Sequence, residues 1–300
     1  MAAFAFSMSV MSAQDLATAT STYNSGAEAL TMGNKAGALE YFQKALTMAQ
    51  ALGDEGVDVV TNCKNAIPSV MLSLGKDLYN SKDFVGAKSK FEEAAAVAKE
   101  YGNDDVVAEV ESLLPTVGKR IALAKVNDAM KNKDVAGVLA GYEEAMAIDS
   151  TDANTALKYG QFLGNAGKFD DAVKYLELAA RHGQENNAKS VLSTTFLKNA
   201  AAQLKGGKYA DAVTLAEKAN SYKENAQAYL VAGQASQKSG KNTAAISYFE
   251  KYLAAAPTAN NAAAITFTVG ALYQQAGNKA KALEFYKKVE NDPQFGAQAK

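Results

Sequence analysis

The chain contains very few of the residues that carry metal, redox or nucleophilic chemistry. Cys63 is the only cysteine, His182 is the only histidine, and tryptophan is absent. One cysteine cannot form an intramolecular disulfide, and one histidine excludes multi-histidine metal sites and weakens any case for a hydrolytic triad. We expect Cys63 to be a small buried residue and His182 to lie at the surface at a helix end. No metal or cofactor site is predicted.

The net charge is close to zero and arginine is rare. The 31 basic and 32 acidic residues leave a formal charge of −1, and Arg120 and Arg181 are the only arginines. Such a balance gives no overall attraction to nucleic acid or to anionic membranes. No stretch approaches the roughly 18 uninterrupted apolar residues that a membrane span needs. We therefore expect no nucleic-acid partner and no transmembrane segment in the mature chain.

Proline is rare, with four residues, whereas alanine dominates the apolar set, and both facts favour helices. The stretch 226–257 shows the clearest pattern, which is two short helices joined by a turn at Ser239-Gly240. Large residues at Tyr229 in the first helix and Phe249 in the second alternate with small ones at Gly233 and Ala245. Pro257 ends the second helix. This alternation of small and large residues predicts two closely interlocked helices.

The same pattern recurs along the chain. One small position of the second helix is marked by Ala38, Ala87, Val138, Ala172, Ala212, Ala245 and Ala282. The pattern resembles the tetratricopeptide repeat (TPR), whose period is about 34 residues, and the resemblance covers about nine-tenths of the chain. It implies an all-α fold, a right-handed α-solenoid of about seven TPR-like helix pairs, without enzymatic activity.

The first two intervals between markers are 49 and 51 residues and the remaining four lie between 33 and 40, so copies two and three should have elongated first helices. Pro68 and Pro115 fall within those intervals, and we expect a kink or a helix start near each. An N-terminal segment with long helices, 14–148, is therefore predicted to join a regular C-terminal array, 149–300.

Residues 1–13 are small and apolar and are typical of the hydrophobic part of an export signal, although no positive leader precedes them. We favour a shortened or atypical signal that is cleaved after Ala13, which places the protein outside the cytoplasm, in the periplasm. A plain N-terminal extension on a cytoplasmic protein is the alternative.

In the TPR family the first helices line a concave groove that holds extended peptides or a partner's helix. Carried over one by one, the family's inward positions in the last four copies are Asn154, Leu157, Gln161, Asn165, Leu197, Lys205, Gln227, Leu230, Gln234, Gln237, Lys238, Phe267, Gln274 and Gln275. Amides both donate and accept, so this set suits the backbone of an extended chain. A groove filled only with water is the alternative. A carboxylate clamp is not expected, because copies five to seven contain no arginine.

Adjacent carboxylates such as Asp170 and Asp171 point about 100° apart on a helix, so they do not form a catalytic pair. The sequence thus predicts a non-enzymatic scaffold or adaptor for a protein partner, with a role in cell-envelope assembly suggested by resemblance. The alternative is a self-association module that packs end to end through the last copy, which contains Tyr273, Phe285 and Tyr286.

Overall fold

The computed structural model describes the backbone of residues 2–300 and the side chains of residues 14–300. The signal-like side chains of residues 1–13 lie outside that description, so the export signal stays a prediction. Contacts between residues divide the chain into two compact units, residues 1–150 and residues 151–300, called unit 1 and unit 2 here. Regular structure in the described residues is helical and includes no strand, which confirms the all-α prediction.

Unit 1 consists of three antiparallel helix pairs stacked in chain order. Its helices are α1 (Ala2–Thr31), α2 (Lys35–Gln50), α3 (Val57–Asn80), α4 (Phe84–Tyr101), α5 (Asp104–Lys131) and α6 (Val135–Ile148), with a short 3₁₀ turn at Gly53–Gly56. Each helix packs against the next one along the chain, and one core cluster runs from α1 to α5. Cys63 lies in this core with no exposed surface, as expected.

Unit 2 contains four further pairs and a C-terminal turn of helix. Its helices are α7 (Ala153–Asn165), α8 (Phe169–Ala179), α9 (Glu185–Lys205), α10 (Tyr209–Tyr222), α11 (Ala226–Lys238), α12 (Asn242–Ala255), α13 (Ala262–Gln275), α14 (Lys279–Lys288) and α15 (Gly296–Ala299). The segment Ala180–Gln184 forms a kink that connects α8 to α9, because His182 and Gly183 depart from helical backbone angles, and His182 is exposed.

Within most pairs a glycine on the first helix faces a large side chain on the second. The five contacts are Gly26 with Phe42, Gly75 with Phe91, Gly160 with Leu176, Gly233 with Phe249 and Gly270 with Tyr286. A Cβ atom at these glycines would lie 2.5–2.8 Å from the nearest atom of the facing side chain, far inside van der Waals contact. The absence of a side chain therefore lets the two helices approach closely, as the small-large pattern predicts.

The elongated first helices of copies two and three are confirmed, since α3 has 24 residues and α5 has 28. The expectation of a helix start near the prolines is wrong, because Pro68 and Pro115 lie inside α3 and α5. The length of a further first helix, the 21-residue α9, was not predicted. The interval of 40 residues between Ala172 and Ala212 is the feature of the sequence that indicates this longer helix.

Each turn between paired helices contains one residue in the left-handed backbone conformation. This residue is glycine in five turns, for example Gly240 with φ of 73°. In the other two turns it is Lys82 or Lys133, with φ of 69° and 57°. This conformation crowds a Cβ atom, so the two lysines store strain that glycine avoids.

Among the described residues, no helix is long and apolar enough to cross a membrane.

Candidate functional site

Three of the first helices of unit 2, α7, α9 and α11, form a continuous wall, and α13 follows them in the last pair. Besides packing against their partners, α7 contacts α9 and α9 contacts α11. Residues one turn apart on these helices therefore follow one face across neighbouring copies. The predicted groove residues all lie on these first helices or at their ends.

Helix α11 contributes the best-defined part of this face. Gln227, Gln234 and Gln237 lie three or seven residues apart, so their side chains share one face of the helix. Gln227 and Gln237 are exposed and Gln234 is half-buried. No hydrogen bond from these three side chains is found in the described part of the chain. We call this set the α11 amide stripe.

Leu230 lies on the same face, between the first two glutamines, but little of its side chain is exposed. Only 9% of its surface is exposed, and it belongs to the core cluster that includes Phe249 and Ile265. The contact of Leu230 with a partner stays a prediction. It supports the stripe from beneath.

The amides of α7 are partly occupied. Asn154 Oδ1 accepts a hydrogen bond from Gln184 Nε2 at 2.8 Å, and Asn165 Oδ1 accepts one from Lys198 Nζ. Both contacts come from the segment leading into the following pair or from its first helix. Gln161, in the middle of α7, is exposed and has no such contact in the described residues. Of the three polar positions on α7, Gln161 is thus the one open to a ligand.

The amides of α13 are occupied as well. Gln274 Oε1 accepts a hydrogen bond from the hydroxyl of Tyr286 at 2.8 Å, and Gln275 Oε1 accepts a long one, 3.4 Å, from Asn242. Phe267 lies between the rings of Tyr286 and Phe295, with centroids 5.3 and 5.4 Å away. These predicted groove residues therefore contribute to the internal packing of the last pair, and each retains some exposed surface.

The apolar positions of the wall are half-buried. Leu157 and Leu197 occupy equivalent places on α7 and α9 and pack at the margin of one core cluster. They form a partly exposed apolar strip beside Gln161. An extended chain lying across the wall would meet amides from α7 and α11 with leucine side chains between them.

Lys205 and Lys238 are exposed but lie at the ends of their helices, next to the turns. They belong to a row of lysines along the turn edge of unit 2. This lysine edge comprises Lys168, Lys205, Lys208, Lys238, Lys241 and Lys279, all exposed. Within the described residues none of the six has an ion pair or a side-chain hydrogen bond. The edge was not predicted from the sequence, although lysine recurs at the turns of successive pairs.

The helix caps of the two units differ at this edge. In unit 1 the second helices begin after Asn34, Asp83 and Asp134, and each of these side chains accepts a hydrogen bond from a backbone N–H in the first turn. Such caps contribute about 1 kcal/mol each.

Three successive second helices of unit 2 begin after Lys168, Lys208 and Lys241, and none of them has a side-chain cap hydrogen bond. A lysine also places positive charge at the positive end of the helix dipole, which costs about 0.3–1 kcal/mol. Helix stability therefore does not explain these lysines.

Charge is segregated between the units. Unit 1 contains 13 basic and 20 acidic residues, a formal charge of −7, and unit 2 contains 18 basic and 12 acidic residues, a charge of +6. The near-zero total hides this difference. The expectation of no overall attraction to nucleic acid or to anionic membranes rests on the summed charge alone and stays a prediction.

The described residues hold little that resembles catalytic chemistry. Burial raises the pKa of the Cys63 thiol to about 11, so it is a poor nucleophile at neutral pH. No group of three or more His, Cys, Asp or Glu side chains that could hold a metal ion occurs in the described part of the chain.

The aromatic residues of the last copy do not form an exposed end face. Phe285 is 6% exposed, and Tyr273 donates a hydrogen bond to Glu250 Oε1 at 2.8 Å. Burial and this bond raise the pKa of Tyr273 to about 12. Tyr286 packs on Phe267, as described above. Phe285 thus has little surface for end-to-end packing, whereas Tyr273 and Tyr286 are half-buried, and such packing stays a prediction.

Comparisons with known proteins agree with the helix-pair geometry. The family model for the tetratricopeptide repeat matches residues 19–52, which span the C-terminal part of α1 and all of α2, and residues 226–258, which span α11 and α12. No curated protein matches the sequence.

Three solved structures illustrate the similarity. The crystal structure of the MamA protein is 18% identical, covers 60% of this chain and 94% of its own, and gives a TM-score of 0.40. YrrB, described as a TPR protein with an unusual peptide-binding site, is 22% identical over 58% of this chain and 87% of its own, with a TM-score of 0.35. The Pseudomonas aeruginosa pilF structure is 15% identical over 76% and 92%, with a TM-score of 0.34.

Proposed function

We propose that this chain, which contains tetratricopeptide repeats in both units, is a non-enzymatic adaptor that binds an extended segment of a protein partner across the first helices of unit 2. The observation that carries the proposal is the α11 amide stripe. Two of its glutamines are exposed and Gln234 is half-buried, and none of the three side chains has a hydrogen bond in the described residues, on the helix where the repeat pattern is clearest.

The chemistry of the wall favours a peptide backbone. A glutamine amide can donate to a carbonyl and accept from an N–H at once, which matches the repeating groups of an extended chain. Gln161 on α7 and the half-buried Leu157 and Leu197 extend the surface, so alternate side chains of the peptide can meet apolar contacts. The amides of α7 and α13 that already have partners contribute rigidity.

A selection that needs no knowledge of the partner tests this proposal. A phage library of random peptides is panned on the immobilised full chain, and the recovered peptides are titrated against variants. The Gln227→Ala/Gln234→Ala/Gln237→Ala variant should weaken binding about tenfold or more, since each lost hydrogen bond is worth about 0.5–1.5 kcal/mol. The matched control is Gln43→Ala/Gln50→Ala, which removes exposed amides from the second helix α2.

The proposal predicts unchanged affinity for the control. Peptides that bind the triple variant as well as the wild type would show that the stripe is only a solvated surface. Recovery of no binding peptide from repeated selections would remove the support for groove binding altogether.

We further propose that the adaptor acts outside the cytoplasm, in assembly of the cell envelope. The support is the small apolar segment 1–13. Cell fractionation and N-terminal sequencing of the native protein test this location. A cytoplasmic protein that retains Ala2–Ala13 would contradict it.

A further inference from the structure

The strongest unassigned feature of the molecule is the lysine edge of unit 2. We propose that this edge docks against an acidic edge of unit 1 in a second copy of the chain, so that copies associate head to tail. The inference goes beyond peptide binding, because it uses the turns rather than the face of the first helices.

The lysines occupy positions where folding gains nothing from them. Lys168, Lys208 and Lys241 stand where unit 1 has capping side chains, and they share nearly identical backbone angles, with φ near −85°. The neighbouring Asn278, with φ of −87°, caps α14 in the same geometry, so the backbone permits a cap. Three successive uncapped helix starts with an added positive charge therefore point to a role for the charge itself.

Unit 1 offers a complementary surface. The junctions between its pairs carry exposed carboxylates, and both junctions lie on the same edge because each connects a second helix to the next first helix. This acidic edge comprises Asp54, Asp58, Glu100, Asp104 and Asp105. None of the five forms an ion pair within the described residues. Val57, 53% exposed, lies among them and can supply an apolar contact.

The charges of the units select the partner. Two copies that meet through the same unit would oppose −7 to −7 or +6 to +6, whereas unlike units attract. Contact between unlike units is heterologous, so it leaves one free unit at each end and can continue into longer chains. A second copy of the chain is thus a suitable partner, because its unit 1 carries the negative charge that attracts the lysine edge.

Sedimentation velocity of the full chain over a concentration series tests the proposal. At about 0.01 M salt the Debye length is ~30 Å and at 1 M it is ~3 Å. We expect concentration-dependent association at low salt that is lost at high salt. A wild-type chain that stays monomeric under both conditions overturns the proposal, whatever else the lysines bind.

Charge reversal locates the contact. Lys205→Glu/Lys208→Glu/Lys241→Glu should raise the apparent dissociation constant by at least about tenfold. The control, Lys158→Glu/Lys287→Glu/Lys300→Glu, changes the net charge equally but lies off the edge, and it should associate more tightly than the edge variant. Equal loss in both variants would mean that only net charge matters and would overturn the proposed contact.

A second charge-reversal variant, on the acidic edge, distinguishes loss of the contact from misfolding. Asp54→Lys/Glu100→Lys/Asp104→Lys should also fail to associate alone, and circular dichroism should show native helix content. Mixing it with the edge variant restores two attractive contacts and should restore association. If both variants are folded and their mixture stays monomeric, the proposal is wrong.

Discussion

Substitution of Gly233 by alanine tests the helix-pair interlock that underlies the fold. In an ordinary helix interior this change stabilises by about 1 kcal/mol, because glycine loses more backbone entropy on folding. Here the new Cβ atom would lie 2.6 Å from two ring carbons of Phe249, and that ring is 1% exposed. Carbon atoms prefer about 3.5–4.0 Å, so the ring must retreat by about 1 Å in a closely packed core.

Overpacking of this kind costs about 1–3 kcal/mol. After the gain in helix propensity is subtracted, we expect Gly233→Ala to lower the free energy of unfolding by about 0.5–2 kcal/mol. Gly118→Ala is the matched control, since Gly118 lies inside α5 and its nearest contact is the flexible end of Ile148 at 3.3 Å. The control should be neutral or stabilising by up to about 1 kcal/mol.

Urea denaturation followed by circular dichroism measures both variants. A third variant supplies the reason for any loss: in a Phe249→Ala background the clash is absent, so Gly233→Ala should become stabilising. The fifth pair already has this combination, with Ala200 and Ala216 at the two positions. If Gly233→Ala and Gly118→Ala have the same effect, close contact between the helices is not what excludes a side chain at Gly233.

Four further outcomes follow from the same structure. Lys133→Gly should stabilise unit 1 by about 0.5–1 kcal/mol in urea denaturation, because the left-handed conformation no longer crowds a Cβ atom; a loss of stability would contradict the assigned strain. Lys241→Asn should stabilise unit 2 by about 1 kcal/mol by restoring a cap, and no gain in melting temperature would argue against it. Burial and a hydrogen bond with Glu217 raise the pKa of Tyr248 to about 12. The stability that this raised pKa contributes is complete below the unfolded pKa of 10 and is lost as pH rises through 12. Thermal melts from pH 9 to 12 should therefore show a smaller alkaline loss of stability for Tyr248→Phe, and an unchanged slope would refute the assignment. Cys63 should react with a thiol reagent only as fast as the chain unfolds, and rapid labelling of native protein would show that the thiol is accessible.

The repeating helix pairs could be predicted because their signal is local. Gly233 and Phe249 alternate small and large at a fixed spacing, and similar positions recur in other copies. The lengths of α3 and α5 followed from the spacing between markers. The length of α9 was missed because a six-residue excess in one interval resembles a longer loop as much as a longer helix.

The burial and hydrogen bonding of each groove residue could not be predicted, because both depend on neighbouring copies. Leu230 is buried by residues of α12 and α13, and Asn165 is engaged by Lys198, 33 residues away. Repeat position alone does not distinguish such residues from Gln234, which has no side-chain hydrogen bond within the described part of the chain. The lysine edge was missed for a different reason, since its charges cancel against unit 1 in the total.

Hydrogen–deuterium exchange of the full chain with and without a selected peptide tests the central claim most directly. Peptide binding across the first helices should slow exchange in α9 and α11, around Leu197 and the α11 amide stripe, and leave the second helices α10 and α12 unchanged. Protection confined to the second helices, or to unit 1, would contradict binding at the stripe.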